Sequence, residues 1–278
     1  MQDVSERLHG HYFDLIRRLH VALRPRTYLE VGVHTGKSLE LVGPETQIIG
    51  IDPTPAVRTR INDNAQLFFE TSDEFFASHD VADLLGGQPI DMAFIDGMHL
   101  FEYALRDFRN IERWAEPDSM VMVHDCYPLD AASSGRVRDS DTWTGDTWKL
   151  VPCLRALRPD LEITTVAVKP SGLTLIRNLD PKNTVLDERY DEALERFGTI
   201  GFETIDGRHD EMLKVVANDW PSISPHIPST PYASVGTTSA AGRRYPRSWK
   251  VVRHQATRQA KLAGRRVVDK ARGAPAPV

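Results

Sequence analysis

The sequence predicts an α/β protein: a doubly wound sheet, mostly parallel, ending in a C-terminal antiparallel hairpin and covered by helices on both faces. Three observations predict it. Five short, nearly continuous apolar runs, beginning at Thr27, Gln47, Gln66, Ile90 and Ser119, alternate with helical segments; strands this apolar are buried on both faces, as in a parallel sheet. Two later runs, Ile163 to Val168 and Leu173 to Arg177, are joined only by Lys169-Pro170-Ser171-Gly172, too short for a crossover, so they pair as a hairpin. The 278 residues, 41% hydrophobic and 26% charged, are those of an ordinary globular chain with room for a full core. Together these give a Rossmann-like unit of about 150 residues.

Each element follows from local pattern. Val4 to Leu23 forms an amphipathic helix, with Leu8, Tyr12, Leu15, Ile16, Leu19 and Leu23 recurring at three-to-four spacing and Pro25 as its stop. Thr27 to Val33 is the first strand, followed by the loop His34-Thr35-Gly36-Lys37-Ser38. Gln47 to Asp52, Gln66 to Glu70, Ile90 to Asp96 and Ser119 to Asp125 are the next four strands. Helices are expected from about Asp73 and from Leu100 to Trp114, the latter with Leu105, Phe108, Ile111 and Trp114 on one face. After Cys126 a polar loop, Leu129 to Thr144, leads to a helix from Asp146 to Leu157, the hairpin, and a last helix from Leu186 to Phe197. The expected organisation is an N-terminal helix (1–25), a core domain (26–180), a helical extension (181–219), a Pro/Ser/Thr-rich linker (220–242) and a basic tail (243–278), flexible in solution.

Charge is divided unevenly. Arg243 to Arg272 holds eleven Lys or Arg against the single acid Asp269, a local charge of +10, so the rest carries −15 beneath the net −5. An acidic body excludes nucleic acid as substrate of the core. The tail has the composition to contact an anionic surface. No apolar run approaches the length of a membrane span. Met1 to Arg7 lacks a signal-type apolar stretch, and two cysteines, Cys126 and Cys153, are too few for a disulfide scaffold. A cytoplasmic location is expected, and the chain is compatible with a homo-oligomer.

The candidate chemistry lies at the strand ends. Glu30-Val31-Gly32-Val33-His34-Thr35-Gly36-Lys37-Ser38 occupies the first strand-to-helix turn. Its glycine spacing fits neither a phosphate loop nor a dinucleotide fingerprint, and an acid at Glu30 would repel phosphates. Asp52, 22 residues later, ends the next strand, where an acid suits a ribose hydroxyl pair. Two such acids with a glycine loop and no phosphate cradle fit a nucleoside with a cationic arm, which describes S-adenosylmethionine. Acids also end strands for structural reasons alone, and the residues by themselves leave that use open.

In Glu30, Gly32, Gly36 and Ser38 the chain resembles the class I S-adenosylmethionine-dependent methyltransferases. The resemblance implies that Glu30 and Gly32 face the methionine part, Asp52 the ribose, and Ser72-Asp73 the adenine. Further on, Asp96-Gly97-Met98-His99 follows the fourth strand and His124-Asp125 the fifth. These strands are neighbours in this topology, so Asp96, His124 and Asp125 converge. Two carboxylates and an imidazole can hold a divalent cation, Mg²⁺ or Mn²⁺ by their oxygens, with the histidine admitting softer ions. Asp96 with His124 and Asp125, 28 and 29 residues later, resembles the metal-dependent O-methyltransferases of the catechol type and the macrolide-sugar branch. Asp96-Gly97-Met98-His99-Leu100-Phe101-Glu102, with Asp107, looks like the bacterial IDGxH signature of that branch. By that resemblance Asp96 also borders the cofactor, and His99 is the base. His124 departs from it, standing where those enzymes usually carry an acid. Trp143 to Lys149 resembles their substrate-side helix.

The implied activity is methylation of a hydroxyl on a small molecule or sugar. An NAD-dependent oxidoreductase and a non-catalytic nucleoside-binding protein are the alternatives the fold allows. The first is opposed by the missing GxGxxG, and the second is favoured by His124. Ile205-Asp206-Gly207-Arg208-His209 repeats the IDGxH string, but no apolar strand precedes it. The acceptor itself is not legible in the sequence.

Overall fold

The computed structural model describes residues 4–138, 142–234 and the two-residue strand at 251–252. Its strands are β1 (Thr27–Val31), β2 (Gln47–Ile51), β3 (Ala65–Phe68), β4 (Ile90–Ile95), β5 (Ala115–His124), β6 (Glu162–Ala167), β7 (Leu173–Arg177), β8 (Val215–Ala217) and β9 (Val251–Val252). They form one sheet in the order β8-β6-β7-β5-β4-β1-β2-β3-β9. Only β7 runs against its neighbours, pairing antiparallel with β5 and β6. The doubly wound, mostly parallel sheet with a C-terminal hairpin is therefore what the chain forms.

The order reverses at β1, which lies between β2 and β4. The first step out of β1 goes to β2, and the later one goes to the other side, to β4. Such a switch point opens a crevice at the carboxyl ends of the strands. Every candidate strand-end acid is carried there.

Helices cover both faces: α1 (Tyr12–Leu23), α2 (Ser72–Ser78), α3 (Val81–Leu84), α4 (Phe101–Glu112), α5 (Leu150–Leu157), α6 (Val185–Glu188), α7 (Tyr190–Phe197), α8 (His209–Leu213) and α9 (Trp220–Ile223). Successive strand residues point to opposite faces. Leu29, Val31, Ala93, Ile95, Val121 and Val123 pack with α4 and α5 on one side. Tyr28, Met92, Phe94, Met120 and Met122 pack on the other, against Leu15, Ile16, Leu19 and Leu23 of α1.

The first helix is shorter than its periodicity suggested. The chain breaks at Gly10, whose φ of 66° is left-handed, because this stretch bonds to the hairpin turn instead. His9 N donates to Ala167 O, Lys169 N to Gly10 O and Tyr12 N to Lys169 O. His11 then caps α1, its Nδ1 accepting from Phe13 N. The expected helix at 186–197 is likewise split into α6 and α7, and that at 146–157 opens with a 3₁₀ turn before α5.

Two segments differ from the expected organisation. Residues 220–234, expected as linker, form α9 and two 3₁₀ turns that bury Ile223, Ile227 and Tyr232, with Tyr232 donating to Asp118 O at 2.8 Å. The extension after residue 181 adds β8 to the edge beside β6. Of the basic tail, only the backbone of Val251 and Val252 is described, paired with Leu67 and Phe68 of β3; the remainder lies outside the described residues. Among the described residues, no helix is long and apolar enough to cross a membrane.

Candidate active site

At the end of β1, Glu30 is completely buried. Tyr28 Oη donates to its Oε2 at 2.8 Å and Ser38 Oγ to its Oε1 at 2.5 Å. Both favour the carboxylate, yet burial dominates and, with Asp96 and Asp52 nearby, pushes the group up to about 8. Gly32 follows with φ 93°, and a Cβ there would lie 2.1 Å from Asp96 O. Only glycine lets the β1 and β4 ends close to this distance. Gly36, also left-handed, closes the loop with its N–H on Val33 O. Asp52 accepts from His34 N and Thr54 N, both at 2.7 Å, so its carboxylate is fixed while its remaining lone pairs are free.

Four side chains meet beyond β4 and β5. Asp96 Oδ1 lies 3.1 Å from His124 Nδ1 and 3.2 Å from His99 Nε2. Asp125 Oδ1 is 3.3 Å from His124 Nδ1. Asp125 Oδ2 is 3.0 Å from His99 Nδ1 without forming an aligned hydrogen bond. His99 and Asp125 both hold left-handed backbone, φ 55° and 59°. For non-glycine residues such strain persists only where surrounding contacts impose it. Here it turns both side chains toward Asp96. Burial opposes charge on His124, but Asp125 and Asp96 outweigh it and bring it to about 10. Burial likewise works against the Asp96 carboxylate, and the two histidines overcome it, holding Asp96 well below the usual range. His99 moves up for the same reason, its carboxylate partners exceeding its burial.

One ligand atom each from Asp96, His124 and Asp125 lies within 4.8 Å of the others, close enough for a single ion to reach all three. Their donor set, two carboxylate oxygens and one imidazole nitrogen, is that of a divalent cation site. The residues fit the group that the sequence resemblance implies. A cleft lined by Asp96, Gly97, Met98, His99, Asp107 and His124 opens beside them.

Ser171 and Tyr12 frame this cluster without having been singled out from the sequence, and the segment Trp143 to Lys149 adjoins it. Ser171, 1% exposed in the hairpin turn, donates to Asp125 Oδ1 and lies 3.4 Å from His124 Nε2. Tyr12 stacks on His124 with ring centroids 4.0 Å apart. Asp146 accepts from Phe101 N at 2.8 Å and from Arg136, pairs with Lys149, and its own N–H donates to His99 O. Of the two tryptophans, Trp143 stacks on His99 at 5.4 Å, whereas Trp148 belongs wholly to the core.

The remaining candidates have their own partners. Asp73 is engaged by Arg106, and Ser72 bonds to the buried Asp107, whose carboxyl burial pushes up to about 7. His209 of the repeated IDGxH string donates to or accepts from no member of the cluster; it bonds Pro128 O. Cys126 is buried and its thiol is pushed up to about 12, chiefly by that burial, so it is no nucleophile.

Comparison with known proteins supplies the wider frame. The chain overlays on a cofactor-bound protein from MTB at 18% identity, covering 60% of this chain and 79% of that one, with a TM-score of 0.47. It overlays on the O-methyltransferase of tomaymycin synthesis from Streptomyces achromogenes, solved with SAM, at 18% identity over 61% and 80%, TM-score 0.44. For the O-methyltransferase from Bacillus cereus solved with SAH, the values are 13%, 63%, 86% and 0.43. No curated protein sequence matches the chain. The family model described as a methyltransferase domain matches residues 29–126, the span from β1 to just past β5 that carries Glu30, Asp52, Asp96, His99, His124 and Asp125. Over this span the chain is similar to a methyltransferase domain.

Proposed function

We propose that the protein transfers a methyl group from S-adenosylmethionine to a hydroxyl oxygen of a small molecule or sugar, with a divalent cation on Asp96, His124 and Asp125 and with His99 as base. The observation that carries this reading is the convergence of Asp96, His99, His124 and Asp125 at the strand ends beside those of Glu30, buried beneath the crevice, and Asp52. The donor supplies an electrophilic methyl on a cationic sulfur, and a bound cation supplies acidity to an acceptor hydroxyl.

The rest is work for the chain. Methyl transfer is an in-line displacement, so alignment counts for most of the catalysis. Glu30, ionised beside a cationic amine, anchors one end of the donor, and the fixed carboxylate of Asp52 receives ribose hydroxyls. His99 accepts the acceptor's proton on a ring nitrogen. The resulting imidazolium lies between Asp96 and Asp125, 3.2 and 3.0 Å away. A cation held by Asp96 and Asp125 would offset the carboxylate charge that raises His99 and so favour its neutral, proton-accepting form.

Replacing His99 by Ala is expected to abolish turnover, by at least about a hundredfold, while calorimetry shows donor affinity unchanged. Lost donor affinity with normal turnover at saturation would overturn the assignment of the base. Dialysis against EDTA should remove activity, and adding divalent ions back should restore it; activity unchanged throughout would reject the cation. A screen of hydroxylated metabolites with labelled methyl donor identifies the acceptor.

A further inference from the structure

We infer that the cation site selects a borderline transition ion, of the class of Mn²⁺, Co²⁺ and Zn²⁺, over Mg²⁺, because His124 is held so as to offer an imidazole nitrogen as a ligand. The inference rests on the cation reading above and names the class of ion.

The His124 ring is fixed on three sides. Tyr12 covers one face, at 4.0 Å and 27°, and Phe94 meets the ring edge-on at 6.3 Å. Ser171 Oγ lies 3.4 Å from Nε2. Because the Ser171 hydroxyl spends its proton on Asp125 Oδ1, its oxygen can only accept from the ring. That places a ring hydrogen on Nε2 and turns Nδ1 to Asp96 Oδ1 and Asp125 Oδ1, at 3.1 and 3.3 Å, where a cation would take the place of the Nδ1 proton. The two carboxylate oxygens and Nδ1 thus surround a point that favours positive charge, and a divalent cation can supply it with release of the Nδ1 proton. A partner on the far nitrogen is how metal-binding histidines are ordinarily oriented.

Ion hardness then decides the occupant. Mg²⁺ is a hard ion that takes oxygen ligands in near-ideal octahedral geometry and sheds water reluctantly. Imidazole favours Zn²⁺ and its transition-metal neighbours, with affinity rising along the series from Mn²⁺. Carboxylates at both Asp96 and Asp125 serve either class, so the nitrogen of His124 makes the difference. Tyr12 and Ser171 both lie outside residues 29–126, so two of the three sides of the bracket around His124 are built by the flanking parts of the chain and the third by Phe94.

The test titrates the full-length, metal-stripped protein calorimetrically with Mg²⁺, Mn²⁺ and Co²⁺ in turn, without donor or acceptor. Co²⁺ should bind on the order of a hundredfold more tightly than Mg²⁺, with Mn²⁺ between them. His124→Asp should narrow the gap by about tenfold or more through lost Co²⁺ affinity, and Ser171→Ala should weaken Co²⁺ by about tenfold. In the Co²⁺-loaded wild type, proton NMR should show a strongly shifted, exchangeable imidazole N–H from His124, which gives a readout even if His124→Asp does not fold. Equal binding of Mg²⁺ and Co²⁺, or an unchanged ratio in a folded His124→Asp, overturns the selectivity and leaves the cation reading standing. Failure of all three ions to bind overturns both.

Discussion

A carboxyl group with no exposure at all, Glu30, lies under the crevice near the end of β1. Folding raises it from 4.5 to about 8. The fold therefore favours its neutral form. That contribution to stability is complete below pH 4.5 and is lost as pH rises towards 8. Without ligand, the unfolding midpoint of wild type should fall across this window relative to Glu30→Gln, whose side chain does not titrate. A constant difference between the two proteins would refute the shift. A cationic amine beside Glu30 reverses the preference, so donor binding at pH 7 should release a proton, measured as calorimetric heat that depends on the buffer's ionisation enthalpy. Glu30→Gln should show no such release. Glu30, Asp52, Asp96 and Asp125 were legible because an acid closing an apolar run is conspicuous. Ser171 and Tyr12 were not: one looks like turn chemistry and the other like a member of a helix stripe, and only tertiary packing brings them to His124.

Two short connections do more for the cluster than any helix. The hairpin turn from Lys169 to Gly172 holds Tyr12 by its backbone and Asp125 by Ser171. The segment Gly145-Asp146 holds His99 in its left-handed conformation through the Asp146 N–H on His99 O. A Cβ at Gly145, itself at φ 60°, would stand 1.8 Å from that same carbonyl. Gly145→Ala should therefore cost roughly 1–3 kcal/mol in backbone strain alone. It should also displace His99, lowering turnover while donor affinity stays within about twofold, because the β1 and β2 ends are untouched. An unchanged rate would show that the segment does not position His99. The five parallel strands and the hairpin were legible from apolar runs and a short turn. The insertion of β7 between β5 and β6 and the three-residue β8 were not, since pairing partners are chosen by contacts remote in sequence.

Across the whole molecule, the back of the sheet is tied by Arg158, 1% exposed, whose guanidinium holds both oxygens of buried Glu112 at 2.7 and 2.9 Å and reaches Asp160. Arg158→Met leaves Glu112 uncompensated and should cost about 3–5 kcal/mol in denaturant unfolding. Adding Glu112→Gln should recover part of the loss; full additivity would mean the two side chains are not coupled. A chain ending at Ser239 should keep wild-type methyl transfer in solution. One ending at Asp219 forgoes the burial of Ile223, Ile227 and Tyr232, each worth about 1.5–3 kcal/mol, and should melt well below it. Composition alone made this stretch a linker, because prolines and serines outnumber the three apolar anchors that fix it.

The placement of Tyr12 and Ser171 outside the matched span has a consequence for recombination. A chimera that transplanted residues 29–126 into a related scaffold would inherit every donor atom but, of the framing that aims the imidazole, only Phe94. Its preference among ions would then follow the recipient's flanks. On the proposed cation site, ion preference would thus diverge by exchange of segments that never touch the ion.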